Sequence, residues 1–187
     1  MKYLKSYEEV FTVDLKKSEQ ELLIKHAITR NDTDLVEELI KSKIISNKNN
    51  IIEYVKNKII TRKINLNLLE IIFNSNLLNK NDFSKLLSLS VINSSSVQHK
   101  SKSELMALIV MLLEKGADPL IKYKTYCSFY YTNAFKQRNF FEEIEDRVKQ
   151  QFMTKSFFNR IIQFIKNRYP DYYDKYLMEK DANKYNL

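Results

Sequence analysis

The chain has one glycine, two prolines, one cysteine and two histidines among its 187 residues. Each scarcity removes a class of answer. Phosphate-cradling loops of the G-x-G-x-x-G or G-x-x-x-x-G-K-[ST] kind need several positions where backbone amides approach the ligand, and one glycine cannot supply them. Nucleotide hydrolysis by those routes is excluded. A lone Cys127 permits neither an internal disulfide framework nor a cluster of cysteine metal ligands, and it suits a reducing compartment. No stretch approaches the roughly 20 apolar residues of a membrane span, and charges interrupt every apolar run of the N-terminal "MKYLKSYEEVFTVDLKKSEQ". A soluble, cytoplasmic protein is expected. The shortage of glycine and proline also removes the residues that punctuate hairpins and tight turns, which favours helices.

What is present fits that bias. The chain is 44% hydrophobic and 29% charged, enough apolar material to bury the core of one compact domain or short repeat array. Lysine far outnumbers arginine and asparagine is abundant, a pattern that an AT-rich coding bias produces by itself, so lysine content alone carries no mechanism. The formal net charge of +8 is uneven: +1 over residues 1–60, +2 over 61–120 and +5 over 121–187.

The single glycine, Gly116, stands in "SKSELMALIVMLLEKGADPL". Leu105, Leu108, Ile109, Leu112 and Leu113 recur there at helical spacing, and Ser101 with Glu104 has the spacing of a capping box. Gly116 falls just past the last periodic residue, where helices end in a left-handed turn that a Cβ disfavours, and Pro119 then forbids continuation. Gly116 and Pro119 are therefore read as a structural helix stop.

The full string "LLEKGADP" resembles the end of an ankyrin repeat, a helix-turn-helix unit with a period of about 33 residues. In "HAITRNDTDLVEELIKSKI" Ala27 takes the small-residue position of a first helix, Asn31 the turn, and Leu35, Val36, Leu39 and Ile40 the apolar face of a second helix. One period on, these second-helix positions become Leu68, Leu69, Ile72 and Phe73, all apolar, while Ala27 becomes Ile60. From Phe73 to Leu113 the step lengthens to 40, and the excess falls in the polar stretch "VINSSSVQHKSKS". A third unit then runs from about Asp82 to Gly116. Ala134 offers the small residue of a fourth first helix, but the positions after it do not match. None of the units opens with the family's T-P-L-H string, and Asn31 and Asn76 stand where glycine is usual; asparagine tolerates the left-handed conformation better than most residues. The apolar spacing outside "LLEKGADP" is met equally by an ordinary helical bundle.

The expected architecture is all-α: a short solenoid of about three degenerate ankyrin-like helix pairs over residues 18–145. A capping helix precedes it over 1–17, and a basic helix with a tail follows over 146–187. Ser6 with Glu9, and Ser18 with Glu21, have capping-box spacing near the N-terminus. At the other end Phe158, Ile161, Ile162 and Ile165 mark an apolar stripe that stops before Pro170, and "DYYDKYLMEKDANKYNL" is expected to add only a short tyrosine-rich turn.

Signs of catalysis are few. His26 lies in an expected helix and His99 in a polar stretch, and neither belongs to a metal-ligand motif. No nucleophile signature surrounds Cys127. The acidic run Glu142 to Asp146 reads as the solvated face of a helix. No catalytic residue, metal, cofactor or small-molecule substrate is expected.

The resemblance implies a binding protein, because ankyrin arrays engage partners through the loops that project between units and the adjoining first helices. A protein partner is expected, which the resemblance extends to host proteins for a chain of bacterial or viral origin. The residues it points to are Lys122, Tyr123, Lys124, Tyr126, Tyr130 and Tyr131 in "LIKYKTYCSFYY", where amphipathic rings stand beside positive charge. Some of those rings are also expected to pack inward as the apolar face of a next helix, with at least Tyr130 or Tyr131 buried. A second candidate is residues 147–169, with Arg147, Lys149, Lys155, Arg160, Lys166 and Arg168 and no acidic residue. Such a segment suits nucleic acid or an anionic membrane. Its apolar residues are also explained by a C-terminal cap whose cations are merely solvated.

Overall fold

The computed structural model describes residues 17–30, 32–42, 51–56, 65–92, 99–126, 135–151 and 153–185. The fold is all-helical apart from one two-stranded ribbon among these residues. In chain order the elements are α1 (Lys17–Arg30), α2 (Thr33–Lys41), a helical stretch at 51–56, α3 (Leu66–Asn74), α4 (Lys80–Ile92) and α5 (His99–Glu114). The strands β1 (Tyr123–Tyr126) and β2 (Phe135–Arg138) come next, then α6 (Phe140–Lys149), α7 (Lys155–Arg168) and α8 (Pro170–Tyr185).

These residues form two compact units. The first takes its described residues from 1–54 and 65–77, the second from 55–64 and 78–187.

In the first unit α1 packs on α2 and α2 on α3. The two nine-residue helices α2 and α3 begin 33 residues apart and repeat each other in detail. Asp32 and Asn65 are their N-caps, each accepting from the amide three residues on, Leu35 at 3.1 Å and Leu68 at 3.2 Å. Ser42 and Ser75 close them, each hydroxyl donating to the carbonyl three residues back, Leu39 and Ile72. Between the caps the same positions turn inward: Val36 and Leu39 in α2, Leu69 and Ile72 in α3. Each fully buried side chain of this size contributes roughly 1.5–3 kcal/mol relative to exposure. Ala27 is buried in α1, and His26 beside it is exposed.

In the second unit α4 is central, packing on α5, α6 and β1. Phe83, Ser84, Leu86, Leu87, Ser88, Ser90 and Val91 are all buried, so α4 is enclosed around most of its circumference and lacks the one-sided stripe of a surface helix. Its start is a reciprocal cap. The Asn79 amide donates to the Asp82 carboxylate and the Asp82 amide to the Asn79 side chain, both at 3.0 Å.

Several expectations are corrected here. Ser18 and Ser101 lie inside α1 and α5, not at their caps. The caps seen are made mainly by Asn and Asp, whose short carbonyl oxygens reach the same amides. The tail after Pro170 is a 16-residue helix, not a short turn. Proline lacks an amide hydrogen and presets φ, which suits the first helical position, so Pro170 ends α7 and starts α8. Tyr176 of α8 stacks on Phe141 of α6 with ring centroids 4.6 Å apart, which anchors the added helix. The proposed N-terminal cap lies outside the described residues apart from Lys17, as do Asn31, Ile60 and Ala134.

Candidate functional site

The chain around Gly116 is a knot of backbone hydrogen bonds. The Gly116 amide donates to the Leu113 carbonyl at 2.9 Å and the Ala117 amide to the Leu112 carbonyl at 3.0 Å, the paired bonds of a Schellman stop. Gly116 has φ +83, as its position past the helix end requires. Asn76 holds the equivalent position past α3, one residue after Ser75, with φ 59. From there the chain is strapped to its neighbours. The Asp118 amide donates to the buried Ser84 hydroxyl of α4 at 2.7 Å, and the Phe140 amide at the start of α6 donates to the Pro119 carbonyl at 3.0 Å.

The strap delivers the tyrosine-rich segment into an antiparallel ribbon, with Tyr123 opposite Arg138 and Tyr126 opposite Phe135. Strands stand where the sequence suggested the start of a further helix. Tyr123 is half-buried: its hydroxyl donates to the Asn81 carbonyl at 3.0 Å, so the ring docks on α4 and does not project. Burial pushes its phenol upward; a hydrogen bond with Ser84 opposes that, and the Asp118 and Asp82 carboxylates reinforce it. Lys122 is exposed, 3.6 Å from Glu142. Lys124 and Tyr126 belong to β1 through their backbones, while their side chains, and Cys127, Tyr130 and Tyr131 altogether, lie outside the described residues.

The other edge of the ribbon is seated by ions. The Arg138 guanidinium donates to Asp146 at 2.6 Å and lies 3.4 Å from Glu143, and the Arg147 Nε donates to Glu143 at 2.9 Å. Glu143 is 1% exposed and Arg147 8%. Two expectations fall with this geometry. The run Glu142 to Asp146 is not a solvated face, since Glu143 is internal and Glu142 forms the capping box of α6 with Asn139. Arg147 does not belong to an exposed basic patch, because Glu143, one turn earlier on the same helix, turns it inward. Residues Gln137, Arg138, Glu142, Glu145, Asp146 and Lys149 line an open depression of about 440 Å³ between β2 and α6. Its charges are of both signs. Among the described residues no group of three His, Cys, Asp or Glu side chains is placed to hold a metal ion.

The remaining basic residues lie beyond Arg147. Thr154 caps α7, and Phe157, Ile161, Ile162 and Ile165 bury its inner side, so the stripe begins at Phe157 with Phe158 half-exposed. Lys149, Lys155, Arg160, Lys166 and Arg168 are all exposed. Lys166 rests over the Tyr173 ring of α8, its Nζ 4.4 Å from the centroid. On α8 Tyr176 is buried; burial, and secondarily a hydrogen bond with Glu145, pushes its phenol well upward. Lys180 holds Glu145 from α8 at 2.6 Å.

No described helix is long and apolar enough to cross a membrane. Set against models of known protein families, against curated proteins and against solved structures, the chain matches none of them.

Proposed function

We propose that this chain is a non-enzymatic, cytoplasmic binding module, a degenerate ankyrin-like scaffold that acts as an adaptor or inhibitor of a protein partner. The recurrence of α2 and α3 at 33 residues, with matching caps and inward positions, supports the repeat reading. The observation that carries the binding site is the ribbon β1–β2, a strand pair inserted between helices of an otherwise helical unit. Its base is fixed by Tyr123, Arg138 and the Pro119–Phe140 strap. The segment joining its strands has the sequence CSFYYTNA, rich in the side chains that protein interfaces favour. A seated base serves recognition because less freedom is lost when a partner binds.

Tyr123 positions the ribbon, while Tyr126, Tyr130 and Tyr131 are assigned to contact on their sequence alone. Affinity capture from a nuclease-treated extract tests this, using the full chain and a variant with Tyr126→Ser, Tyr130→Ser and Tyr131→Ser. The expected result is a specific protein that the wild type retains and the variant loses while keeping the wild-type helical circular dichroism. Retention of the same proteins by both chains would remove the ribbon as the binding site.

A further inference from the structure

The outer face of α7 carries charge of one sign. At 3.6 residues per turn, Lys155, Lys166, Asn159, Gln163, Ser156, Asn167 and Arg160 follow one another around an arc of roughly 140°. All seven are exposed. The three cations stand at the two margins of the arc, and the side chains between them are neutral and hydrogen-bonding. Gln163 and Asn167 hold each other at 2.9 Å. Among the described residues none of the three cations has a carboxylate at ion-pair distance, in contrast to Lys122, Arg138, Arg147 and Lys180 of the same unit. Lys166 is held in place by the Tyr173 ring instead.

We propose that this face of α7 binds the phosphate backbone of a nucleic acid. Lysine, arginine, serine, asparagine and glutamine are the side chains that contact phosphate oxygens, and a face of this composition positions a backbone without reading its sequence. The three cations extend over about 17 Å of helix axis, long enough to meet several successive phosphates. The same geometry speaks against a membrane surface. An amphipathic helix adsorbs by burying its apolar side among lipids, and the apolar side of α7, from Phe157 to Ile165, is already in the protein core. This surface is separate from the ribbon, so the inference goes beyond the protein-binding reading and stands or falls without it.

Fluorescence anisotropy of a short labelled duplex, as DNA and as RNA, with the full chain at about 50 mM salt tests the assignment. Binding is expected, with log Kobs falling against log salt at a slope of about −3 for three phosphates. Each of Lys155→Gln, Arg160→Gln and Lys166→Gln is expected to make the slope shallower by about 1. Joint replacement of the three by Glu is expected to abolish binding with an unchanged melting temperature; should that variant be unstable, the single Gln variants still decide. The proposal is overturned if the wild type leaves the duplex free at low salt, or if the single variants keep the wild-type slope. It is also overturned if vesicles of phosphatidylserine and phosphatidylcholine capture the chain through these residues while the duplex stays free. Duplex binding that survives the α7 changes but is lost with Tyr130→Ser and Tyr131→Ser would move the site to the ribbon.

Discussion

Tyr123, Arg138, Glu143 and Arg147 turn inward at the seat of the ribbon, whereas the cations between Lys155 and Arg168 turn outward, although both stretches set aromatic beside basic residues in the sequence. In the first, Tyr123, Arg138, Glu143 and Arg147 are committed to holding a ribbon against α4 and α6. In the second, the apolar residues of α7 do the packing and its cations stay in water. A run of like charges is therefore not one surface. What separates Arg147 from Lys155 is a partner: Glu143 lies four residues before Arg147 on the same helix, and no acidic residue lies anywhere in 147–169.

The comparison can be broken most directly at Glu143. Replacing it with Ala removes the buried carboxylate that accepts from the Arg147 Nε and lies 3.4 Å from Arg138, and a loss of about 3–5 kcal/mol is expected in urea unfolding. A loss below about 1 kcal/mol would show that this network is as dispensable as a surface pair. Next comes the helix stop. Gly116→Val places a β-branched residue at positive φ and is expected to cost about 1–2 kcal/mol, read as a lower melting temperature. The flexible Lys80 side chain, 3.3 Å from the added Cβ, can yield, so the backbone decides. Asn76→Val should cost a similar amount, and Asn76→Gly less than about 0.5 kcal/mol.

Alkaline pH probes the inward phenols. Burial raises Tyr54 to about 12, which favours the neutral form in the folded state. Its contribution is thus complete below the unfolded value of about 10 and is lost as pH rises through about 12. Tyr54→Phe is expected to flatten the decline in melting temperature over that window. The smallest effect sharpens the other side of the comparison. Arg160→Gln and Lys155→Gln should change stability by less than about 0.5 kcal/mol, since both side chains are exposed and neither has an ion-pair partner among the described residues.

Helices and their stops were legible because local chemistry determines them. Gly116, Asn76 and the inward positions of α2, α3 and α5 are where spacing and left-handed tolerance put them. The ribbon was not legible. Its pairing joins Tyr123 to Arg138 across 15 positions, and with glycine and proline scarce no turn signal marks it. Glu143 and Arg147 were misread for a related reason: their burial depends on Arg138 and on the helices packed around α6, which periodicity along one helix does not reveal. The asparagines carry the opposite lesson. A coding bias explains why there are many, yet Asn65, Asn79 and Asn139 each cap a helix, so a residue supplied in excess by composition is put to local use.

The strap through Ser84 has a kinetic consequence. Turn amides ordinarily face water and exchange their hydrogens with solvent quickly, whereas those of Ala117, Asp118 and Phe140 are bonded to Leu112, Ser84 and Pro119 respectively. The first closes the end of α5, and the other two join the chain after it to α4 and to the start of α6, so these two cannot open without loosening a contact between elements of the unit. In heavy water these loop hydrogens should persist as long as those of α4 itself and disappear together, marking the chain between α5 and α6 as part of the most slowly opening element of its unit.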